Sequence, residues 1–359
     1  MSREHEVLEA VERRRRLKPK LKDERITLAH GAGGKATHAL VEALFLEELG
    51  NPLLAPLGDA ALLQAPEEVG RRLAFSTDSY VVKPLFFPGG DIGELAVNGT
   101  VNDLAMAGAR PLCLSAGFIL EEGFPIDDLR RIASSIAAAA RAAEVAVAAG
   151  DTKVVERGKA DGLYVNTTGV GLVERELELA AVRIRPGDRV LVSGTLGDHG
   201  TAILVARGEL ELEVELESDT APLTELVRTL LGATEAVRML RDPTRGGLAT
   251  VLNELALAAN AAIVLDEPAL PVRPEVAGAC EILGIDPLYV ANEGKLCAVV
   301  APEAAEIALA ALRSHPLGAN AAIVGEVREE PEGLVLLNTA FGGSRVVDML
   351  VGDPLPRIC

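Results

Sequence analysis

The chain is short of positive charge: 35 lysines and arginines stand against 53 aspartates and glutamates, a net charge of -18 over 359 residues. Such a surface repels phosphate backbones and anionic membranes, so no nucleic-acid partner is expected. Long apolar runs are missing as well. The stretch SSIAAAARAAEVAVAAG is broken by Arg141 and Glu144 and falls short of the roughly 20 clean residues that a membrane span needs, so no membrane association is expected. The four cysteines (Cys113, Cys280, Cys297 and Cys359) form no C-x-x-C pair and the five histidines no H-E-x-x-H, which leaves a zinc site without support. The opening MSREHEVLEAVERRRRLKPK lacks the apolar core of a secretory signal, so a reducing cytoplasm without disulfides is the expectation. Its basic run from Arg13 follows acidic residues and reads as a solvated helical extension.

What is present is a chain with 49% hydrophobic side chains and 35 glycines, long enough for a full core divided between two domains. From Ile26, strand-like runs alternate with Ala/Leu-rich helical ones, the pattern of a mixed α/β and α+β protein. RRLAFSTDSYVV, PLCLSAGFIL, AVAAGDTKVV and GLYVNTTGVGLV read as strands, with helices at about Ile92 to Ala107 and Asp127 to Glu144. The Pro-Gly-Asp turn in RIRPGDRVLVSG marks a boundary near residue 178. Beyond it DRVLVSG, AAIVLD, KLCAVVA, AAIVGEV and GLVLLN read as strands. Helices are expected at about Asp198 to Arg207, Leu223 to Leu240, Gly247 to Ala259 and Glu303 to Ser314. The resulting division is an extension over 1–25, domains over 26–177 and 178–338, and a mobile tail over 339–359. The acidic alternation LELEVELESD reads as an exposed strand or loop edge with no binding role.

The chemistry is expected in aspartates at the ends of apolar strands, beside Gly, Ser, Thr or Asn: Asp59 in PLGDAAL, Asp78 in FSTDSYV, Asp103 in TVNDLAMAGARP, Asp151 in AAGDTKVV and Asp242 in RDPTRGGLA. One such aspartate is an ordinary turn former or cap. Five together suit a site for Mg2+ and polyphosphate, because magnesium takes hard oxygen ligands and glycines let backbone N–H groups approach phosphates. HGAGGKATHAL is a second Gly-rich element leading into a helix. Ala29 and Ala36 occupy the first-glycine and Ser/Thr positions of a P-loop, which excludes a Walker motif and leaves a phosphate-covering loop or a plain turn with a helix start.

In order along the chain, HGAGG, LGDAA, STDSYVV, VNDLAMAGARP, AGDTKVV, DPTRGGLA and ANEGKL resemble the motif series of the PurM-like ATP-binding superfamily. Together with the final PRIC they resemble the HypE family of hydrogenase maturation proteins, since the wider superfamily does not share that ending. The resemblance covers about Ile26 to Cys359. It implies an N-terminal ATP/Mg-binding sheet domain that pairs in a homodimer and a C-terminal α+β domain over the nucleotide. It places metal on Asp59, Asp78, Asp103 and Asp242. ATP would contact Gly31, Gly33, Gly34, Asp78, Asn102, Asp151 and Asn292.

The resemblance also makes Cys359 a substrate carrier. A carbamoyltransferase, HypF, would load its thiol, ATP would drive dehydration to a thiocyanate, and the cyano group would pass to iron on a HypC–HypD scaffold. Glu293 and Lys153 would supply the base and relay. Without the resemblance, Glu293 reads as a turn cap and Lys153 as a phosphate counter-ion. Residues Val351 to Cys359 can span about 30 Å when extended, and Pro354 and Pro356 favour a polyproline-like path. The neighbouring carboxylate should disfavour the thiolate, a penalty that Arg357 or a partner's basic group is expected to offset. The rival readings are another PurM-like synthetase or kinase, which needs no terminal thiol, and a non-catalytic nucleotide-binding scaffold.

Overall fold

The computed structural model describes residues 27–45, 55–64, 71–208, 215–352, 355 and 357–359. The extension over 1–25, with its basic run, and both Pro354 and Pro356 lie outside the described residues.

Helix α1 (Lys35–Leu40) precedes the strands β1 (Ala61–Gln64), β2 (Arg72–Tyr80), β3 (Phe86–Phe87) and β4 (Gly90–Asp91). Next come α2 (Ile92–Met106), β5 (Ala109–Glu121), α3 (Ile126–Ala142), β6 (Ala146–Val155) and β7 (Leu163–Val173). The first sheet runs β1-β2-β7-β5-β6. Its pairs are antiparallel except β5 with β6, which the α3 crossover makes parallel.

Helix α2 starts where the Asp91 carboxylate accepts N–H bonds from Gly93 (2.8 Å) and Glu94 (3.1 Å). It is buried nearly all round, which places its last turn and Asp103 inside the molecule. Helix α3 is amphipathic, burying Ile132, Ile136, Ala139 and Ala140 at helical spacing. Strand β6 differs from the others. It is exposed along its length, and no strand pairs its outer edge among the described residues.

The second sheet combines β8 (Arg189–Val192), β9 (Val237–Arg241), β10 (Ala262–Asp266), β11 (Cys297–Val300), β12 (Ala322–Arg328), β13 (Val335–Asn338) and β14 (Ser344–Val347) in the order β14-β13-β10-β12-β8-β11-β9. Its helices are α4 (Asp198–Ala206), α5 (Thr224–Ala233), α6 (Gly247–Ala259), α7 (Pro274–Leu283) and α8 (Ala305–Arg313). Val190 and Val192 pack with α6, whereas Leu191 packs with α5 and α8. The strands are therefore covered on both faces, which explains unbroken apolar runs such as CAVV. The architecture is thus two α/β domains, as the patterning indicated.

Two expectations need correction. The helix expected over Leu223 to Leu240 ends at Ala233, because Thr234 turns extended (φ -154°, ψ 144°) and the chain enters β9. Beyond Asn338 the chain is not featureless, since β14 pairs antiparallel with β13 and extends the sheet. Four residues are too few to carry a readable period. The last residues then return towards the first domain, where Leu355 and Ile358 are buried in a hydrophobic cluster that joins it to α4 and α7.

Candidate active site

Three aspartates brought in from three directions form the centre of the site. Asp59 precedes β1, Asp103 closes α2 and Asp242 follows β9. Each offers a carboxylate oxygen within 4.8 Å of the others. Burial pushes all three carboxyl groups above the usual range, and Asp242 is raised to about 6. Arg241 Nε lies 2.6 Å from Asp59 Oδ1, and its guanidinium also meets Glu254 at 2.9 Å. The Ser76 hydroxyl donates to Asp103. Asp59 Oδ2 is buried with no hydrogen-bond partner among the described residues. A crowded set of hard oxygen donors with one orphaned oxygen fits a divalent cation such as Mg2+. Asp78 stands outside this trio. Its Oδ2 accepts the Tyr80 hydroxyl at 3.2 Å.

Facing the trio is the loop Asn292–Lys295, which precedes β11. Glu293 is buried, with Oε1 unpartnered among the described residues. Burial, reinforced by Asp242, Asp219 and Asp78, pushes its carboxyl well up. Its N–H donates to Asp219 Oδ1 (3.0 Å) and its carbonyl accepts from Asn102 Nδ2 (3.2 Å). Burial alone would raise the Asp219 carboxyl, but Lys295 Nζ at 2.9 Å helps hold it below the usual range. Gly294 is obligatory here, because a Cβ would sit 1.7 Å from the Asp219 carbonyl oxygen.

Cys359, the last residue, completes the constellation. Its thiol faces the Glu293 carboxyl and lies beside Arg245. Burial pushes the thiol pKa well up, and the Arg245 guanidinium opposes that shift. Backbone bonds hold this seat, with Arg357 in the left-handed region (φ 59°): Val81 N–H donates to a main-chain oxygen of Cys359 (3.2 Å) and Lys83 N–H to the Arg357 carbonyl (3.0 Å). The His199 Nε2 lies 2.6 Å from the Ile358 carbonyl, and Arg207 donates to that of Arg357. Arg357 itself turns away to pair with Asp161. The cation facing the thiol is therefore Arg245, not Arg357 as expected.

Comparison with known proteins gives the chain its family. The model of the AIR synthase related protein N-terminal domain matches residues 57–173, and that of its C-terminal domain matches 185–337. Carbamoyl dehydratase HypE of Cupriavidus necator is 54% identical over 94% of this chain and 96% of its own, and that of Escherichia coli is 52% identical over 93% and 99%. This chain belongs to the HypE family. Among solved structures, a HypE–HypF complex aligns with a TM-score of 0.82 at 48% identity, covering 87% of this chain and all of the other. HypE in complex with ATP aligns at 0.78 and 48%, covering 93% of this chain and all of the other.

Against the HypE family motifs, the remaining expected residues divide. Asn102 and Asn292 sit behind the site. Asn102 spends its amide on the Ala221 and Glu293 carbonyls and the Leu223 N–H, and Asn292 on Pro243, Val290 and Gly197. In the single chain these bonds hold loops in place. Gly33 (φ 75°) and Gly34 allow close backbone approach to Arg245 and Leu350, and Gly31 ends the short turn before them. Asp151 and Lys153 are not brought to the trio. They lie exposed on β6 and pair with each other at 2.6 Å.

Arg245, Tyr80, His199 and Asp219 were not singled out from the sequence. The first two stand inside motifs quoted for their aspartates. Asp219 and Ser218 close LELEVELESD, whose pattern reads as an exposed edge with no binding role. Its alternation disguised a buried carboxylate. No helix among the described residues is long and apolar enough to cross a membrane.

Proposed function

We propose that this chain dehydrates a carbamoyl group carried on the Cys359 sulfur, consuming ATP and yielding a thiocyanate whose cyano group becomes an iron ligand in [NiFe]-hydrogenase maturation. The observation that carries this reading is the Cys359 thiol seated against Glu293 and Arg245 beside the aspartate trio. A small-molecule kinase has no use for a thiol of its own at that position.

The balance of atoms sets the requirements. An S-carboxamide plus ATP gives S-cyanide, ADP and phosphate: the carbonyl oxygen leaves on phosphorus and both N–H protons depart. Glu293, buried and with its carboxyl raised, accepts a proton next to the sulfur that carries the group. Arg245 supplies positive charge where the carboxamide oxygen develops negative charge. Asp59, Asp103 and Asp242, with Asp78 adjacent, hold the Mg2+, which when bound neutralises charge on the transferred phosphoryl group. Gly31, Gly33 and Gly34 line the approach for phosphate.

Asp151 and Lys153 lie exposed on β6, away from the trio of their own chain, so in this reading they meet the nucleotide of a second copy in a homodimer joined along the open β6 edge. HypF as carbamoyl donor, a HypC–HypD scaffold as acceptor, and a cytoplasmic setting complete it. The test is intact-protein mass spectrometry with carbamoyltransferase, carbamoyl phosphate and ATP. Wild type gains one carbamoyl mass and loses water only with ATP, and Cys359→Ala does neither. A wild-type chain left unmodified beside an active partner sinks the reading.

A further inference from the structure

We propose that His199 is the positioning residue that seats the Cys359 thiol, and that the adjacent pair Ser218 and Asp219 ties this seat to Glu293. The inference rests on the carrier role of Cys359 proposed above. His199 lies in the first turn of α4, fully buried, with its ring edge-on to Phe87 at 5.7 Å. A position that needed only to fill space would take an apolar side chain. Both ring nitrogens are instead engaged, Nδ1 with Ser218 Oγ at 2.7 Å and Nε2 with the Ile358 carbonyl at 2.6 Å.

A carbonyl can only accept, so Nε2 carries the proton and Nδ1 takes the Ser218 hydroxyl. Burial depresses the imidazole pKa and keeps this neutral form. Ser218 is itself fixed, its N–H on the Pro88 carbonyl (2.8 Å) and its Oγ accepting from Thr220 N–H (3.1 Å). The next residue, Asp219, holds the Glu293 N–H and Lys295. Consecutive residues of one segment thus orient the peptide just before the thiol and the carboxylate that faces it. A shift of that segment moves acceptor and carrier together.

The test compares His199→Phe, which keeps the ring packing and loses the donor, with His199→Gln, which returns an amide N–H near the Nε2 position. The full chain is treated with iodoacetamide without ATP and labelling is read by peptide, with Cys113 as internal reference. His199→Phe should raise Cys359 labelling roughly three- to tenfold, the effect of one lost hydrogen bond on an open–closed equilibrium. His199→Gln should return it towards wild type, and single-turnover dehydration should fall and recover in parallel. Ser218→Ala, which leaves the ring in place, should raise labelling in the same direction and serves if His199→Phe does not fold. Equal labelling in His199→Phe, Ser218→Ala and wild type, or no recovery in His199→Gln, overturns the proposal. Labelling requires no turnover, so a failed dehydratase reading leaves this result standing and distinguishable.

Discussion

Asp219 Oδ1 accepts the backbone N–H of Glu293 at 3.0 Å while its Oδ2 takes the Lys295 ammonium at 2.9 Å. One carboxylate thus fixes the loop carrying the proposed base and neutralises a cation buried beside it. Removing one partner of such a pair leaves the other uncompensated, at a cost of about 3 kcal/mol. Asp198 Oδ2, 4.0 Å from Lys295 Nζ, keeps the cost near the low end. Asp219→Ala should therefore lower the urea midpoint strongly and Asp219→Asn less, since an amide oxygen still receives the Glu293 N–H. Equal stability of Asp219→Ala and wild type would show that the loop needs no such anchor.

The aspartate trio predicts stabilisation by magnesium. A ligand that binds only the folded chain adds about 2.7 kcal/mol at a hundredfold excess over its Kd. Titrating Mg2+ should raise the melting temperature of wild type, and Asp59→Asn or Asp242→Asn should remove most of that rise. An undiminished shift in both variants would place the ion elsewhere.

Much of this was legible along the chain. Asp59 before β1 and Asp242 after β9 do stand at strand ends as expected, whereas Asp103 comes from the last turn of a helix and Asp78 and Asp151 lie within strands. Apolar period located most strands and helices, including α2 with Asp103 in its last turn. What escaped depended on tertiary pairing. Asn102 and Asn292 look like ligand contacts in sequence, but their amides are consumed by backbone groups far away along the chain. Asp219 became informative only when folding set it against Lys295, and β14 only when β13 lay beside it.

The Asp161 pair with Arg357 predicts a pH dependence. The Arg357 hydrogen bond, slightly opposed by burial, holds the Asp161 carboxyl below its ordinary 3.8. A depressed acid pKa stabilises the folded form above the ordinary value, and that contribution is lost as pH falls through the lower folded value. The pair is partly exposed, so the effect is modest. Wild type should melt above Asp161→Asn at neutral pH, and the gap should narrow as pH falls below 3.8 and through the lower folded value. A gap that stays constant through that fall would remove the pair from the anchoring of the last residues.

The exposed positions of Asp151 and Lys153 yield a sharper test of how the site is completed. If Lys153 acts on the nucleotide of a second copy, a single chain holds Glu293 for one site and Lys153 for the other. Lys153→Ala and Glu293→Gln homodimers should each be inactive. Mixed after subunit exchange, half of the dimers are heterodimers with one intact site of two, so dehydration should return to about one quarter of the wild-type rate. Complementation of this kind requires that the two residues of one site come from different chains. Were Lys153 to serve the site of its own chain, every heterodimer site would carry one of the two substitutions and mixing would restore nothing. Sedimentation of the same mixtures establishes whether dimers are present, so an inactive mixture of dimers would point to Lys153 acting within its own chain or not at all.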